Sequence, residues 1–293
     1  MAACLGLEIK KRIKGQGKVR YVVSREKTLS SVVVQKNHLL PPTGYEFVFF
    51  TKSDNAMVGK TLSVQPFEEF SHRAFDRPSR DSYVGMLPPK LARMMVNFTR
   101  TDENLLDPFC GSGTILQEAS LLGVKTMVGS DSSDGSVTRT KENIKWLKNK
   151  HLDLEFDYSI FHAPLESLKD SVKEIFLSIV CEPFLGKPLT GRESDKELQT
   201  GINTLTTSYI DWLKILSSFL KNNGLIIMVW PVIVRGQDFI FLPLDKYLLD
   251  AGLKFANAVP EFIPKKWLSQ RSTLLYYRPG QKIAREIVIL AKK

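Results

Sequence analysis

The stretch Leu105-Leu-Asp-Pro-Phe-Cys-Gly-Ser-Gly-Thr114 decides the fold. An apolar strand, Asn104 to Phe109, runs into an acid, a proline and two glycines one residue apart. Thr114 then opens a segment with Ile115, Leu116, Ala119 and Leu122 on one helical face, and Gly123 sits where a helix stop belongs. Strand, glycine turn and helix in immediate succession form the unit of an open α/β sheet. Gly111 and Gly113 let the backbone approach a ligand outside the carboxyl edge of such a sheet.

A lone GxG is weak by itself, and three features narrow its reading. The place of a third dinucleotide-binding glycine is taken by Leu116, and no GxxxxGK[ST] occurs, so the turn is not built for pyrophosphate. Asp107 puts a carboxylate at the strand end, suited to a cationic or amino-bearing ligand. Asp131 closes the next strand in Val128-Gly-Ser-Asp131, where a carboxylate can accept from two ribose hydroxyls.

Working outward, strand Thr126–Ser130 leads into a helix from Asp134 to Leu147, with Val137, Thr140, Ile144 and Leu147 on one face. Ile175–Cys181 is a near-continuous apolar run, as in a strand covered on both sides of a parallel sheet. A helix over Thr204–Leu220, a strand over Leu225–Trp230 and a helix over Leu244–Ala251 continue the alternation. Ser272–Arg278 and Glu286–Ala291 flank Pro279-Gly280 as a closing hairpin with one antiparallel strand. Upstream, Pro88 and Pro89 suit the first turn of a helix carrying Leu91, Met94, Met95 and Phe98. Phe70–Ser82 lacks periodicity and reads as a connecting loop. Before it lie β-rich runs at Lys18–Ser24, Leu29–Val34, Glu46–Thr51 and Thr61–Phe67. This predicts a β-rich accessory region over 1–68 and an α/β catalytic domain over 69–293.

The 293 residues suffice for that division, at roughly 100 to 200 residues per domain. With 43% hydrophobic and 25% charged residues the composition is globular. Lys and Arg outnumber Asp and Glu by 41 to 31, a balance that favours a polyanionic partner and equally describes a basic protein without one. Cys4, Cys110 and Cys181 show no CxxC pairing, so neither a metal site nor a disulfide framework is expected, and a reducing, cytoplasmic setting fits. No apolar run reaches the roughly 20 residues of a membrane span, and no signal peptide is read at the start.

Asp107-Pro-Phe-Cys-Gly-Ser-Gly-Thr114 resembles the first motif of class I S-adenosylmethionine-dependent methyltransferases, in the version found in the THUMP-associated tRNA guanosine-N2 methyltransferase family. Asp76-Arg-Pro-Ser-Arg-Asp81, followed by Gly85-Met-Leu-Pro-Pro-Lys-Leu-Ala92, resembles the lead-in to that motif, and Arg285-Glu-Ile287 resembles the terminal strand. The likeness runs from about residue 60 onward. It implies a Rossmann-like, seven-stranded mixed sheet whose last strand is antiparallel. It implies S-adenosylmethionine as cofactor, tRNA or another structured RNA as partner, and a cofactor set of Pro88, Asp107, Pro108, Cys110, Gly111, Gly113, Thr114, Asp131, Ser132, His162 and Ala163. His162 stands where the family has an Asp that recognises the adenine amine. A neutral His can accept one such hydrogen bond, and a strand-end His can equally be structural. The region before residue 60 resembles only the tail of an RNA-binding module, so a protein partner that supplies RNA docking is an open expectation.

In the family, a D/N-P-P-Y/F tetrapeptide after the fourth strand places the target amine. The first side chain and a proline carbonyl accept its hydrogens, and the aromatic ring stacks on the base. Here Cys181-Glu-Pro-Phe-Leu-Gly186 takes that position. Glu182 stands for the Asp, Pro183 is kept, Phe184 stands for the second proline and Leu185 for the aromatic. The resemblance assigns catalysis to Glu182, Pro183 and Phe184, with Phe184 stacking from the neighbouring position and Gly186 beside the substrate. The plainer reading has Glu182 end a strand and Phe184 fill the core. Cys110 and Cys181 lie beside the site without a general base, which makes them lining.

Arg73, Arg77, Arg80, Lys90 and Arg93, interleaved with Phe70, Phe75 and Tyr83, read either as an RNA contact or as a solvated basic loop; Arg77 and Arg80 are the substrate candidates. Lys10 to Arg20 form a second basic run with the same two readings. The primary expectation is methylation of guanine N2 in tRNA. A DNA adenine-N6 or cytosine-N4 methyltransferase, and an inactive subunit that binds cofactor and RNA, are the rivals.

Overall fold

A computed structural model describes residues 2–13, 15, 20–22, 28–52, 55–79, 86–256 and 259–293. The chain divides into two compact units, Met1–Phe75 and Asp76–Lys293. No helix among the described residues is long and apolar enough to cross a membrane.

The first unit holds α1 (Ala2–Ile13), α2 (Ser31–Lys36), an antiparallel hairpin of β1 (Phe47–Lys52) and β2 (Asn55–Lys60), and α3 (Phe67–Phe75). Three sequence expectations change here. The Leu29–Val34 strand is instead α2, because the Ser30 hydroxyl accepts from the Val33 N–H and starts a helical turn that buries Val34. Thr61–Phe67 forms no strand; β1 pairs with Asn55–Lys60. The Phe70–Ser82 loop is helical up to Phe75, with Glu68 and Glu69 in the first turn of α3 suiting its positive end. Most of the Lys18–Ser24 run lies outside the described residues, and Arg20–Val22 are in no strand.

The second unit is the α/β layer. In chain order it contains α4 (Pro89–Asn97), β3 (Asn104–Asp107), α5 (Thr114–Ser120), β4 (Thr126–Asp131), α6 (Asp134–Lys150), β5 (Asp157–His162), the short α7 (Leu168–Ser171) and β6 (Phe176–Cys181). It continues with α8 (Asp195–Phe219), β7 (Leu220–Arg235), β8 (Asp238–Phe241), β9 (Leu253–Phe255), β10 (Leu274–Tyr276) and β11 (Ile283–Lys292). The main path of the sheet is β10-β11-β7-β6-β3-β4-β5. The five strands from β5 to β7 are parallel and β11 runs antiparallel to both neighbours. This is the expected seven-stranded mixed sheet, with β8 added against β7 and β9 against β11.

Alternate residues of each central strand serve opposite layers. Ile226, Met228 and Trp230 of β7 pack with Tyr209, Leu213 and Leu216 of α8, while Ile227 and Val229 pack with Leu91 and Met95 of α4 and Leu116 of α5. The expected Leu244–Ala251 helix is a single 3-10 turn, Leu244–Tyr247, followed by turns. Leu244, Leu248 and Ala251 reach the core without further helix.

The chain winds from β3 outward through β4 to β5, then returns to the other side of β3 with β6. The order therefore reverses between β3 and β6, and open α/β sheets bind ligands outside the strand ends at such a switch point. Asp107 ends β3, Cys181 ends β6 and Glu182 follows it there.

Candidate active site

The glycine turn is shaped by its own backbone. Gly111 and Gly113 have φ of 56° and 78°, a region open to glycine and costly for most side chains. A Cβ on Gly113 would lie 3.0 Å from Thr140 of α6, whereas one on Gly111 would meet nothing within 4 Å. Gly111 therefore borders open space. The Thr140 hydroxyl donates to the Gly111 carbonyl at 3.0 Å.

Asp131, at the end of β4, is locked to this turn. One carboxylate oxygen accepts from the Gly111 N–H and the other from the Ser133 N–H, both at 2.9 Å. Each oxygen has a second lone pair for a further donor. His162 is the register partner of Asp131 on β5, is exposed, and its Nε2 lies 3.1 Å from the Ser132 carbonyl. Its Nδ1 lies 3.9 Å from Asp134 Oδ1. Ala163 is buried and its N–H donates to the Asp131 carbonyl at 3.1 Å; Ser132 is exposed beside them.

Asp107 is buried and accepts from the Phe109 N–H at 3.3 Å. Burial pushes its carboxyl well above the usual range, and the charges of Asp131 and Glu182 push the same way against the Phe109 hydrogen bond. Asp107 thus sits where a positive charge would be well received. Burial, then the charge of Asp107, raises the Cys110 thiol, and burial raises that of Cys181; both are free thiols with no basic activator.

A buried asparagine ties the lead-in segment to the turn. Asn143 of α6 donates from Nδ2 to the Ser79 carbonyl at 2.8 Å and the Ser112 carbonyl at 2.9 Å, and accepts from the Ser79 N–H at 3.0 Å. Arg77 is buried and donates to the Thr114 hydroxyl at 2.8 Å and to the Met86 sulfur. Its burial gives it a task within the fold. Arg80 lies outside the described residues. Pro88 caps α4, Pro108 is buried behind the turn, and Arg93 pairs with the buried Glu118 at 3.5 Å.

Across the switch point stands the other half. The Arg285 Nε of β11 donates to Glu182 Oε1 at 2.5 Å, with side-chain exposures of 12% and 15%. Among the described residues Arg285 takes one oxygen, leaving Oε2 for another donor. Pro183 is buried; Phe184 is 54% exposed and does not fill the core, whereas Leu185 packs into it. The Tyr209 hydroxyl of α8 lies 3.2 Å from the Phe184 carbonyl and 3.3 Å from that of Val229, which pins the segment to the sheet. Gly186 has a φ of 102°, turning the chain away.

Sequence reading missed Arg285 as the partner of Glu182, and also Asn143 and Tyr209. An arginine inside the apolar run Ile283–Ala291 was the available signal for the first.

Residues 77–183 match the family described as RMKL-like, methyltransferase domain. The match spans the lead-in and the glycine turn, on which much of the family resemblance rests, together with β4, β5 and the strand before Glu182; it does not reach Arg285-Glu-Ile287. The tRNA (guanine(10)-N2)-dimethyltransferase of Methanothermobacter thermautotrophicus is 32% identical over 183 residues, which cover 61% of this chain and 48% of that protein. The protein of the same name from Pyrococcus abyssi is 33% identical over 124 residues, 42% of this chain and 35% of its own length. The chain thus spans half or less of the curated relatives it matches. Among solved structures, TrmN from Thermus thermophilus superimposes with a TM-score of 0.50 at 17% identity, covering 89% of this chain and 64% of that one, which establishes a shared fold.

Proposed function

We propose that the chain methylates an exocyclic amine of an RNA base, guanine N2 in tRNA, using S-adenosylmethionine. The observation that carries this reading is the gathering of three carboxylates at the β3/β6 switch point, with Asp107 and Asp131 ending β3 and β4 and Glu182 following β6, three neighbouring strands of the sheet. The residues fit the cofactor: Asp131 retains lone pairs for ribose hydroxyls, Gly111 faces open space, and the Asp107 carboxyl favours a neighbouring cation. Bound there, S-adenosylmethionine supplies a sulfonium methyl for in-line displacement by a nucleophilic nitrogen.

The remaining work is placement, because the barrier to such a transfer falls mainly by orienting the nucleophile. Glu182 Oε2 accepts an amine hydrogen while Arg285 holds Oε1 and fixes the carboxylate plane. The exposed Phe184 ring offers a face for the target base. The names of the curated relatives support tRNA as substrate, and the net charge of +10 supports a polyanion. The reading places the protein in the cytoplasm, where its thiols stay reduced.

Tritiated S-adenosylmethionine offered with bulk tRNA or with duplex DNA tests the substrate class. Label entering tRNA supports the reading, label entering only DNA replaces it with the DNA-amine alternative, and label in neither supports an inactive binding subunit.

A further inference from the structure

The sheet edge that carries Glu182 continues into a second surface. Tyr276, at the end of β10, pairs with Arg285 of β11, and Arg285 holds Glu182, so the turn over 277–282 leaves the sheet beside the proposed amine site. Strands are spaced about 5 Å apart, which makes this the neighbouring strip of surface. Leu268 bridges antiparallel to Leu274, bringing the 3-10 turn Lys265–Trp267 back along β10. On the far flank, the Phe239 ring of β8 meets Tyr277 edge-on with centroids 5.6 Å apart.

This strip leaves large aromatic rings in water. Trp267 is 53% and Phe262 is 83% exposed. Cations accompany them. Lys266 Nζ lies 5.7 Å from the centre of the Trp267 ring, and the Arg278 guanidinium stands 5.5 Å from the Tyr276 ring while its Nε donates to the Tyr276 hydroxyl at 2.6 Å. Lys265 and Lys282 are exposed as well, and over 260–282 the single acid is Glu261. Exposed ring faces interleaved with cations match the stacking faces and phosphates of unpaired nucleotides; a purely apolar partner would leave the cations without counter-charges.

We propose that Trp267, Lys265, Lys266 and Arg278 form a platform for the single-stranded nucleotides flanking the target base. Trp267 stacks on a base and the three cations neutralise phosphates. The proposal rests on the reading of Glu182 as the group that orients the amine, since that is what puts the platform next to the reacting base.

The test is a titration of a fluorescein-labelled oligouridylate with the full chain over a salt series, together with tRNA methylation kinetics and cofactor calorimetry. Trp267→Ala is expected to weaken oligonucleotide binding about tenfold, with Trp267→Phe restoring most of it. The double variant Lys265→Ala, Lys266→Ala is expected to lower the slope of log affinity against log salt by about 1. Both should raise KM for tRNA while leaving kcat and cofactor affinity at parent values. Should Trp267→Ala fail to melt like the parent, Trp267→Phe and the lysine pair decide. Parent-like RNA binding and KM in these variants, with a parent that methylates tRNA, overturns the platform alone. A parent that neither binds nor methylates RNA overturns the platform and the proposed function together.

Discussion

The turn that follows Asp107 is gripped by its main-chain groups, whereas the segment that follows Glu182 is gripped at one carboxylate and one main-chain carbonyl. In the first, Asp131 takes two main-chain N–H groups, Thr140 and Asn143 bond main-chain carbonyls, and two glycines set the path. In the second, one guanidinium and one tyrosine hydroxyl fix the segment, and Phe184 stands half in solvent. Contacts made to main-chain groups do not depend on the turn's own side chains, so the first turn keeps one shape as long as Asp131, Thr140 and Asn143 are in place. Side-chain contacts can be exchanged, which suits the half that meets a variable target. Glu182-Pro-Phe-Leu185, the segment that departs from the D/N-P-P-Y/F pattern, falls in that half, and Arg285 holds its first residue.

The strongest way to break this comparison is Glu182→Ala. The account expects the methylation rate to fall by roughly two or more orders of magnitude, as when a polar contact to the reacting group is removed, while calorimetry finds cofactor affinity unchanged. A parallel loss of cofactor binding would merge the two halves into one. Asp131→Ala is the mirror experiment. It should weaken S-adenosylmethionine by about 1 to 3 kcal/mol, read by calorimetry, since it removes the acceptor for ribose and leaves the Gly111 and Ser133 N–H groups without their partner.

Asn143→Ala sharpens the claim that the first turn is held from behind. It touches no proposed ligand yet leaves the Ser79 N–H and carbonyl without their bonds and the Ser112 carbonyl with only the 3.4 Å bond from Gln117 Nε2, and should cost about 1 to 3 kcal/mol. In a thermal melt that is a loss of about 2 to 4 °C per kcal/mol, and a melt equal to the parent would contradict it.

The smallest effect concerns pH. The folded-state pKa of Asp107 lies above its unfolded value, so its contribution to stability is present below the unfolded pKa and is lost as pH rises through the folded one. Asp107→Asn should therefore melt slightly higher than the parent at pH 8, and the difference should vanish near pH 3. A difference independent of pH would show that burial of a neutral carboxyl is not the cause.

The β3 turn was legible because everything that defines it lies within ten consecutive residues: the strand, the acid, the glycines and the helix start. Asp131 followed from its place at the next strand end. The pairing of Glu182 with Arg285 was not, since 103 residues separate them and their meeting depends on β11 inserting between β7 and β10. The start of α8 could have been placed. Ser194 and Glu197 form a reciprocal capping box, whereas the apolar spacing suggested a helix only from Thr204. Helix α2 went the other way: Val32, Val33 and Val34 favour a strand locally, and the Ser30 cap with burial of Val34 outweighed that preference. The burial of Arg77 against Thr114 was likewise not legible, because it depends on α5 lying beside the lead-in segment.

The most direct measurement of the central claim is nucleoside analysis after single-turnover reaction of the full chain with tritiated S-adenosylmethionine and unmodified tRNA, run beside Glu182→Ala. The account predicts label in N2-methylated guanosine for the parent and none above background for the variant at saturating cofactor. Label in any other nucleoside, or equal label from both proteins, would contradict it.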